Sequence, residues 1–215
     1  MPIPTDVQPY PKTVRFFAKL ISFALHPLIV GVIIMGYFVF IHPSLFIGFD
    51  TKTKVYRFFT FVNNNFVLPL LVVLLLRGLG FSKSIYLNTQ KERIVPYVAT
   101  IIFFFWTWYV FMNLPETPAI VVSLCQGMFF SSCVALILNN FFKVSMHGIA
   151  MGGMLGVMMI LIFAGEAYSI WPLLATLLLT AAVSSARKIV TDHTWFEIIT
   201  GILLGFSMQW LAWWL

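Results

Sequence analysis

The stretch Ala119–Leu138, AIVVSLCQGMFFSSCVALIL, decides the fold, because it runs for 20 residues without a charged side chain. A helix of about 20 apolar residues is long enough to cross the hydrocarbon layer of a membrane. Similar runs lie on both sides of it, at residues 21–41, 58–76, 95–112, 147–164, 170–183 and 194–215. These runs are continuous rather than alternating, which favours membrane helices over a membrane β-barrel.

The composition points to the same class of protein. Hydrophobic residues make up 60% of the 215 residues and charged residues only 9%. A soluble domain has roughly 45–50% apolar and about 25% charged residues, so this chain cannot cover a water-facing surface. A soluble globular protein, a disordered chain and a secreted disulfide scaffold are excluded. We predict an integral membrane protein with an all-α fold, a polytopic transmembrane bundle of six or seven helices.

The chain is predicted to form a leader followed by one transmembrane domain. Residues 1–19 hold four prolines and three basic residues and are assigned to an N-terminal leader, and residues 20–215 to a single transmembrane domain. Pro27 lies inside the first apolar run and is expected to kink it after His26. The run at 58–76 contains asparagines and a proline, so it either crosses the membrane or is re-entrant.

Small residues recur at four-residue spacing in two of the predicted spans. One set is Gly148, Gly152 and Gly156, and the other is Gly201 and Gly205. Glycines on one face of a membrane helix let a neighbouring backbone approach closely. Both spans are therefore expected to make close helix contacts.

Three polar segments are predicted to share one face of the membrane, because two spans separate each from the next. They are residues 77–93, 139–147 and 184–193. If the second span crosses, this face holds ten of the thirteen basic residues, namely Lys12, Arg15, Lys19, Arg77, Lys83, Lys91, Arg93, Lys143, Arg187 and Lys188. Basic residues beside spans are typical of topology signals and of contact with anionic headgroups. The formal charge of +6 therefore indicates membrane lipids as partners, and no nucleic acid.

Several polar groups are expected to converge at the mouths of the spans, where helix N-termini favour bound anions such as phosphate. They are Lys91, Arg93, Lys143, His147, Arg187 and His193. His193 and Glu197 are four residues apart, which would place them on one helix face. A carboxylate there can hold one ring nitrogen protonated and leave the other free to react. A second histidine can transfer protons.

The sequence does not favour a metal site. The acidic residues close to the two histidines in sequence are Asp192 and Glu197, which do not form a metal-binding set with them. We expect neither a metal nor another cofactor. His26, beside Pro27, is interpreted as a structural residue.

Three segments resemble the motifs of the type 2 phosphatidic acid phosphatase superfamily. Arg187, His193 and Glu197 have the spacing of its third motif, an Arg…His…Asp pattern. Val144–Ser145–Met146–His147 resembles the second motif, Pro-Ser-Gly-His, and Lys91–Glu92–Arg93–Ile94–Val95–Pro96 is similar to the first. The order is that of the family, and the resemblance covers about residues 88–205, closest to the small bacterial integral-membrane branch.

The resemblance implies a hydrolase that removes phosphate from a lipid phosphate or lipid pyrophosphate without a metal. It implies that His193 is the nucleophile, Glu197 orients it and His147 protonates the leaving oxygen. It further implies that phosphate is bound by Lys91, Arg93, Ser145 and Arg187. The expected location is the bacterial cytoplasmic (inner) membrane, as a homo-oligomer or as a subunit of a membrane complex.

An alternative follows from the departures from these motifs. Val95 stands where the first motif has the arginine before its proline, and in the second motif Val144 stands in place of proline and Met146 in place of glycine. These changes favour a catalytically inactive, phosphatase-like lipid-binding or scaffold subunit of a membrane complex. A small transporter or channel is a third hypothesis, although no pair of interrupted spans lies in matching halves. The resemblance suggests a site facing away from the cytoplasm, whereas the basic residues suggest the cytoplasmic side.

Overall fold

The structure is a computed structural model that describes residues 10–80, 90–191 and 193–215. These residues form eight helices and no strand: α1 (Lys12–Ala24), α2 (Pro27–Ile41), α3 (Thr51–Gly78), α4 (Gln90–Asn113), α5 (Ala119–Leu138), α6 (Met146–Phe163), α7 (Trp171–Val190) and α8 (Trp195–Trp214). Helices α3 to α8 are each long and apolar enough to cross a membrane, and α1 with α2 form a bent pair that would add a seventh span. The prediction of an all-α membrane bundle with six or seven spans is confirmed.

The first predicted span consists of two helices rather than one. Pro27 is the first residue of α2, and His26 has an extended backbone with φ −61° and ψ 142°. A residue before proline avoids the helical conformation, so α1 ends at Ala24 and the axis turns by 57°. The kink predicted at His26 is thus a complete break.

Helix α1 includes residues 12–19, which we assigned to the leader. No proline lies between Pro11 and Pro27, so the helix can begin as soon as the proline-rich stretch ends. Residues 1–9 of the predicted leader lie outside the described part of the chain.

The second predicted span is a continuous helix of 28 residues, α3. Its asparagines lie in a π-helical segment, Asn63–Val67, where a turn accommodates an additional residue. Asn65 is only 1% exposed, and its Nδ2 donates to the carbonyl oxygen of Phe61 at 3.0 Å and to Oγ1 of Thr107 on α4 at 3.1 Å. The polar side chains therefore join two helices and do not interrupt the span.

Helices α6 and α8 pack with their backbones in contact. A Cβ atom added to Gly148 on α6 would lie 2.7 Å from the carbonyl oxygen of Ile198 on α8. A Cβ atom added to Gly152 would collide with the backbone of Ile202 on α8. A Cβ atom added to Gly205 on α8 would likewise collide with the backbone of α6. The two predicted glycine sets are therefore the two sides of one interface, which we call the glycine seam.

The outer surface of the bundle is apolar, as a surrounding lipid requires. Large side chains stand out from several helices, including Phe163 with 71% and Leu178 with 73% of their surfaces exposed. The interior is also apolar and includes the fully buried rings of Phe38, Phe61 and Phe111. The arginine and histidine side chains predicted to form the site lie at helix ends, which places the candidate site there.

The glycine seam provides a matched test of the packing. We expect Gly152→Ala to lower the free energy of unfolding by about 1–3 kcal/mol, because its Cβ would collide with a backbone that cannot rotate away. Gly153→Ala is the control, since its Cβ would have only the carbonyl oxygen of Gly205 nearby, at 4.0 Å. Denaturant unfolding in detergent measures both, and equal stability of the two variants would contradict the seam.

Candidate active site

The predicted polar segments meet at one end of the bundle. Gln90 at the start of α4 and Asn139 after α5 exchange two hydrogen bonds of 2.7 and 2.9 Å between side-chain amide and backbone carbonyl. Nη1 of Arg93 on α4 donates to the carbonyl oxygen of Val144 at 3.2 Å, just before α6. Alternating helix directions therefore bring the starts of α4, α6 and α8 together with the ends of α5 and α7.

His193 and Glu197 form a hydrogen-bonded pair at the start of α8. Nδ1 of His193 lies 3.0 Å from Oε2 of Glu197, and the His193 side chain is only 2% exposed. A carboxylate only accepts hydrogen bonds, so Nδ1 carries the proton and the neutral ring has its lone pair on Nε2. This is the geometry that a nucleophilic or basic histidine needs.

The prediction that His193 and Glu197 lie on one helix face was wrong for His193. His193 does not lie on the helix, because α8 begins at Trp195 with Thr194 as its N-cap. Oε2 of Glu197 accepts from the backbone N–H of Thr194 at 2.8 Å, and Oγ1 of Thr194 accepts from the N–H of Glu197 at 3.2 Å. Glu197 reaches back from the first turn in this capping box, which holds its carboxylate against His193.

The pKa of His193 is lowered from its ordinary value. Burial is the main cause, and the charges of Arg187 and Arg93 act in the same direction. The hydrogen bond to Glu197 raises the pKa, but by less than these effects lower it. The ring is therefore mainly neutral at pH 7 and has a lone pair available.

Ser145 and His147 lie at the start of α6, beside this pair. Ser145 is fully buried and caps the helix, with its Oγ accepting from the N–H of Gly148 at 3.2 Å. Its own N–H donates to the carbonyl oxygen of Glu197 at 3.2 Å. His147 is 8% exposed, and its ring is near enough to Arg187 and His193 to interact with them electrostatically.

Arg187 and Arg93 bring positive charge to the two histidines from α7 and α4. Arg187 lies in the last turn of α7, which continues to Val190 whereas the predicted span ended at 183. Its buried Nε has no hydrogen-bond partner among the described residues, while Arg93 lies close enough to interact with its charge. Two guanidinium groups close to each other form a site suited to a multiply charged anion.

Lys91 is the predicted phosphate-binding residue that the structure separates from the others. It is exposed, whereas Arg93 two residues later is buried at 6% exposure. Residues two apart on a helix point in nearly opposite directions. Lys91 therefore faces away from the end of the bundle where Arg93 meets α6.

His26 is the site residue that the sequence interpretation missed. It caps α2, as a structural residue would, with Nδ1 accepting from the N–H of Leu28 at 3.4 Å. Its ring also lies edge-to-face against the ring of His147, with centroids 5.7 Å apart and planes at 79°. A helix break before Pro27 would have placed His26 at a helix end rather than inside a span, and this was the signal available in the sequence.

The chemistry available here is that of nucleophilic and proton-transferring groups beside two arginine side chains. Among residues 10–80, 90–191 and 193–215, no group of three His, Cys, Asp or Glu residues is placed to hold a metal ion. Asp192 lies outside the described residues.

Comparison of the chain with family models, with curated proteins and with solved structures finds no match. The resemblance to type 2 phosphatidic acid phosphatases therefore depends on the motif residues in the sequence alone.

The lowered pKa of His193 predicts a pH dependence of stability. Below about pH 6.5, the ordinary pKa of histidine, the His193 ring is protonated in the unfolded chain but remains more often neutral in the folded chain. Stability contributed by the neutral ring should therefore be present above this pH and be lost as the pH falls towards the folded-state pKa. Thermal unfolding in detergent between pH 7.5 and 5 should show a decrease in Tm that is smaller in His193→Gln. Equal slopes for the two proteins would contradict the assignment.

Proposed function

We propose that the protein is an integral-membrane phosphatase that hydrolyses a lipid phosphate or lipid pyrophosphate through a phosphohistidine intermediate. The observation that carries the proposal is the buried His193, oriented by Glu197 at 3.0 Å and placed beside Arg187. The motif resemblance supports the same activity, including its independence of metal. A bacterial cytoplasmic membrane is the location that the resemblance favours.

The residues suit a two-step transfer. Nε2 of His193 attacks phosphorus and forms a P–N bond, while the bond from phosphorus to the leaving oxygen breaks and His147 gives that oxygen a proton. Water then attacks phosphorus, the P–N bond breaks, and His147 takes the proton from the water. Inorganic phosphate leaves, and both histidines return to their starting states.

Arg187 and Arg93 are proposed to bind the phosphate during both steps. Charge on the phosphoryl oxygens is best stabilised by cationic groups that are already in place. Arg93 is held by the fold, since it donates to the carbonyl of Val144, and the buried Nε of Arg187 has no partner among the described residues and is available to a phosphate oxygen. Lys91, which points elsewhere, is proposed to contact lipid headgroups.

The alternative function is a phosphatase-like subunit that binds a lipid phosphate without hydrolysing it. Ser145 favours this alternative, because it is fully buried and its Oγ accepts from the backbone N–H of Gly148. A residue engaged in this way is less accessible to a phosphate oxygen. Such a protein would act within a homo-oligomer or a larger membrane complex.

Phosphate release by the purified protein in detergent, with chelator present, separates the two functions. The substrates are phosphatidate, phosphatidylglycerophosphate and undecaprenyl pyrophosphate. We expect His193→Ala to lower kcat by about 10³-fold or more, because the nucleophile is lost. Substrate binding should survive in this variant. Absence of release by the folded wild-type protein from all three substrates would favour the binding subunit.

Arg187→Ala tests the phosphate site. We expect a loss of about 10²–10³-fold in kcat/KM, because the charge that stabilises the transferring phosphoryl group is removed. Arg77→Ala is the matched control, since Arg77 is an exposed arginine in the last turn of α3. Similar losses in both variants would indicate a general effect of charge and would argue against a specific role for Arg187.

The covalent intermediate can be observed directly. Rapid acid-free quenching of the protein with ³²P-labelled substrate should trap label that survives base and is lost in acid, as expected for a phosphoramidate. The label should be absent from His193→Ala and present in Lys91→Ala. Labelling of His193→Ala would place the nucleophile elsewhere.

A further inference from the structure

The break between α1 and α2 leaves one backbone carbonyl without its usual partner. In an uninterrupted helix the N–H of His26 would donate to the carbonyl oxygen of Ser22, four residues earlier. At the break the N–H of His26 donates instead to the carbonyl oxygen of Phe23 at 3.2 Å. The N–H of Leu25 donates to the carbonyl oxygen of Ile21 at 2.9 Å. The carbonyl of Ser22 is therefore among those that the helix end leaves for an outside donor.

That donor is His147. Its Nε2 lies 3.0 Å from the carbonyl oxygen of Ser22, and the contact is buried. A carbonyl can only accept, so Nε2 carries a proton in this contact and the neutral ring has its lone pair on Nδ1. The hydrogen bond joins α6 to the N-terminal helix, 125 residues away in sequence.

We propose that the break at Pro27 positions His147: by presenting the carbonyl of Ser22, it holds His147 with a proton on Nε2 and makes Nδ1 the nitrogen that exchanges protons with the substrate. This inference rests on the proposed phosphatase function for its catalytic consequence. It extends that function by assigning a positioning role to α1 and Pro27, which lie outside the three motifs.

The electrostatics of the contact fit this role. The C-terminal end of a helix carries partial negative charge and favours a protonated imidazole, and α1 presents this end to His147. Burial of the ring is the main effect that opposes the protonated form, and Arg187 on α7, His26 at the break and His193 before α8 add to it. The carbonyl of Ser22 is thus the contact that supports the proton which His147 must deliver to the leaving oxygen.

The tautomer can be measured without any turnover. Two-dimensional ¹H–¹⁵N spectra of protein labelled at its four histidines distinguish a ring nitrogen with a proton from one with a lone pair. Loss of one set of signals in His147→Gln assigns the ring. We expect Nε2 of His147 to remain protonated across the pH range and Nδ1 to titrate. A neutral His147 with its proton on Nδ1 would overturn the proposal, whether or not the protein is a phosphatase.

Pro27→Ala tests the cause. Without proline, His26 can adopt the helical conformation. Its N–H can then donate to the carbonyl oxygen of Ser22 in place of His147. We expect kcat for phosphate release to fall by about 10–100-fold with little change in KM, and the pH profile to shift, because proton transfer is impaired. The spectra should show His147 as a mixture of tautomers.

Pro172→Ala is the matched control, because Pro172 lies in the first turn of α7, at the opposite end from Arg187. It should leave the tautomer, kcat and pH profile unchanged. A folded Pro27→Ala protein with the wild-type tautomer and pH profile would overturn the proposal. If Pro27→Ala does not fold, the tautomer of His147 measured in the wild-type protein still tests the proposal.

Discussion

The contact between the backbones of α6 and α8 is the constraint on which the site depends. Glycines on both helices remove the side chains that would hold the two backbones apart. The N–H of Ser145 can then donate to the carbonyl of Glu197 across the interface. This places the start of α6, with His147, beside the start of α8, with His193 and its carboxylate. A larger side chain in the seam would separate these helix ends before it disturbed any catalytic group directly.

The charged and titratable groups of the site lie at helix ends, at one end of the bundle. Burying an unpaired charge inside an apolar bundle is expensive, and the fold holds three groups of the site in specific ways. Glu197 belongs to a capping box, Arg93 donates to a backbone carbonyl and His147 donates to another. Arg187 is different, since its buried Nε has no partner among the described residues. A bound phosphate would provide the missing acceptor, which is why this residue is central to the proposed function.

Much of the fold could be predicted from the sequence because a membrane allows few alternatives. The run Ala119–Leu138 is observed with the predicted bounds, and the other spans differ mainly at their ends. The larger departures lie inside two spans, at the break before Pro27 and at the asparagines of the second span. The asparagines of α3 suggested an interruption, yet Nδ2 of Asn65 donates to Phe61 and Thr107 and the helix continues. A single sequence does not show whether a neighbouring helix will supply such a partner.

The sequence by itself determined the membrane helices and the placement of the charged residues at their ends, because lipid tolerates neither unpaired backbone groups nor isolated charges. Only the tertiary structure decided which of those residues meet. Arg93 turns towards α6 while Lys91 turns away, and His26 joins the site because α1 stops before Pro27. These outcomes depend on the rotation of each helix and on the direction of the chain after a break. Both are set by packing between segments far apart in sequence, which hydrophobic runs and residue spacing do not encode.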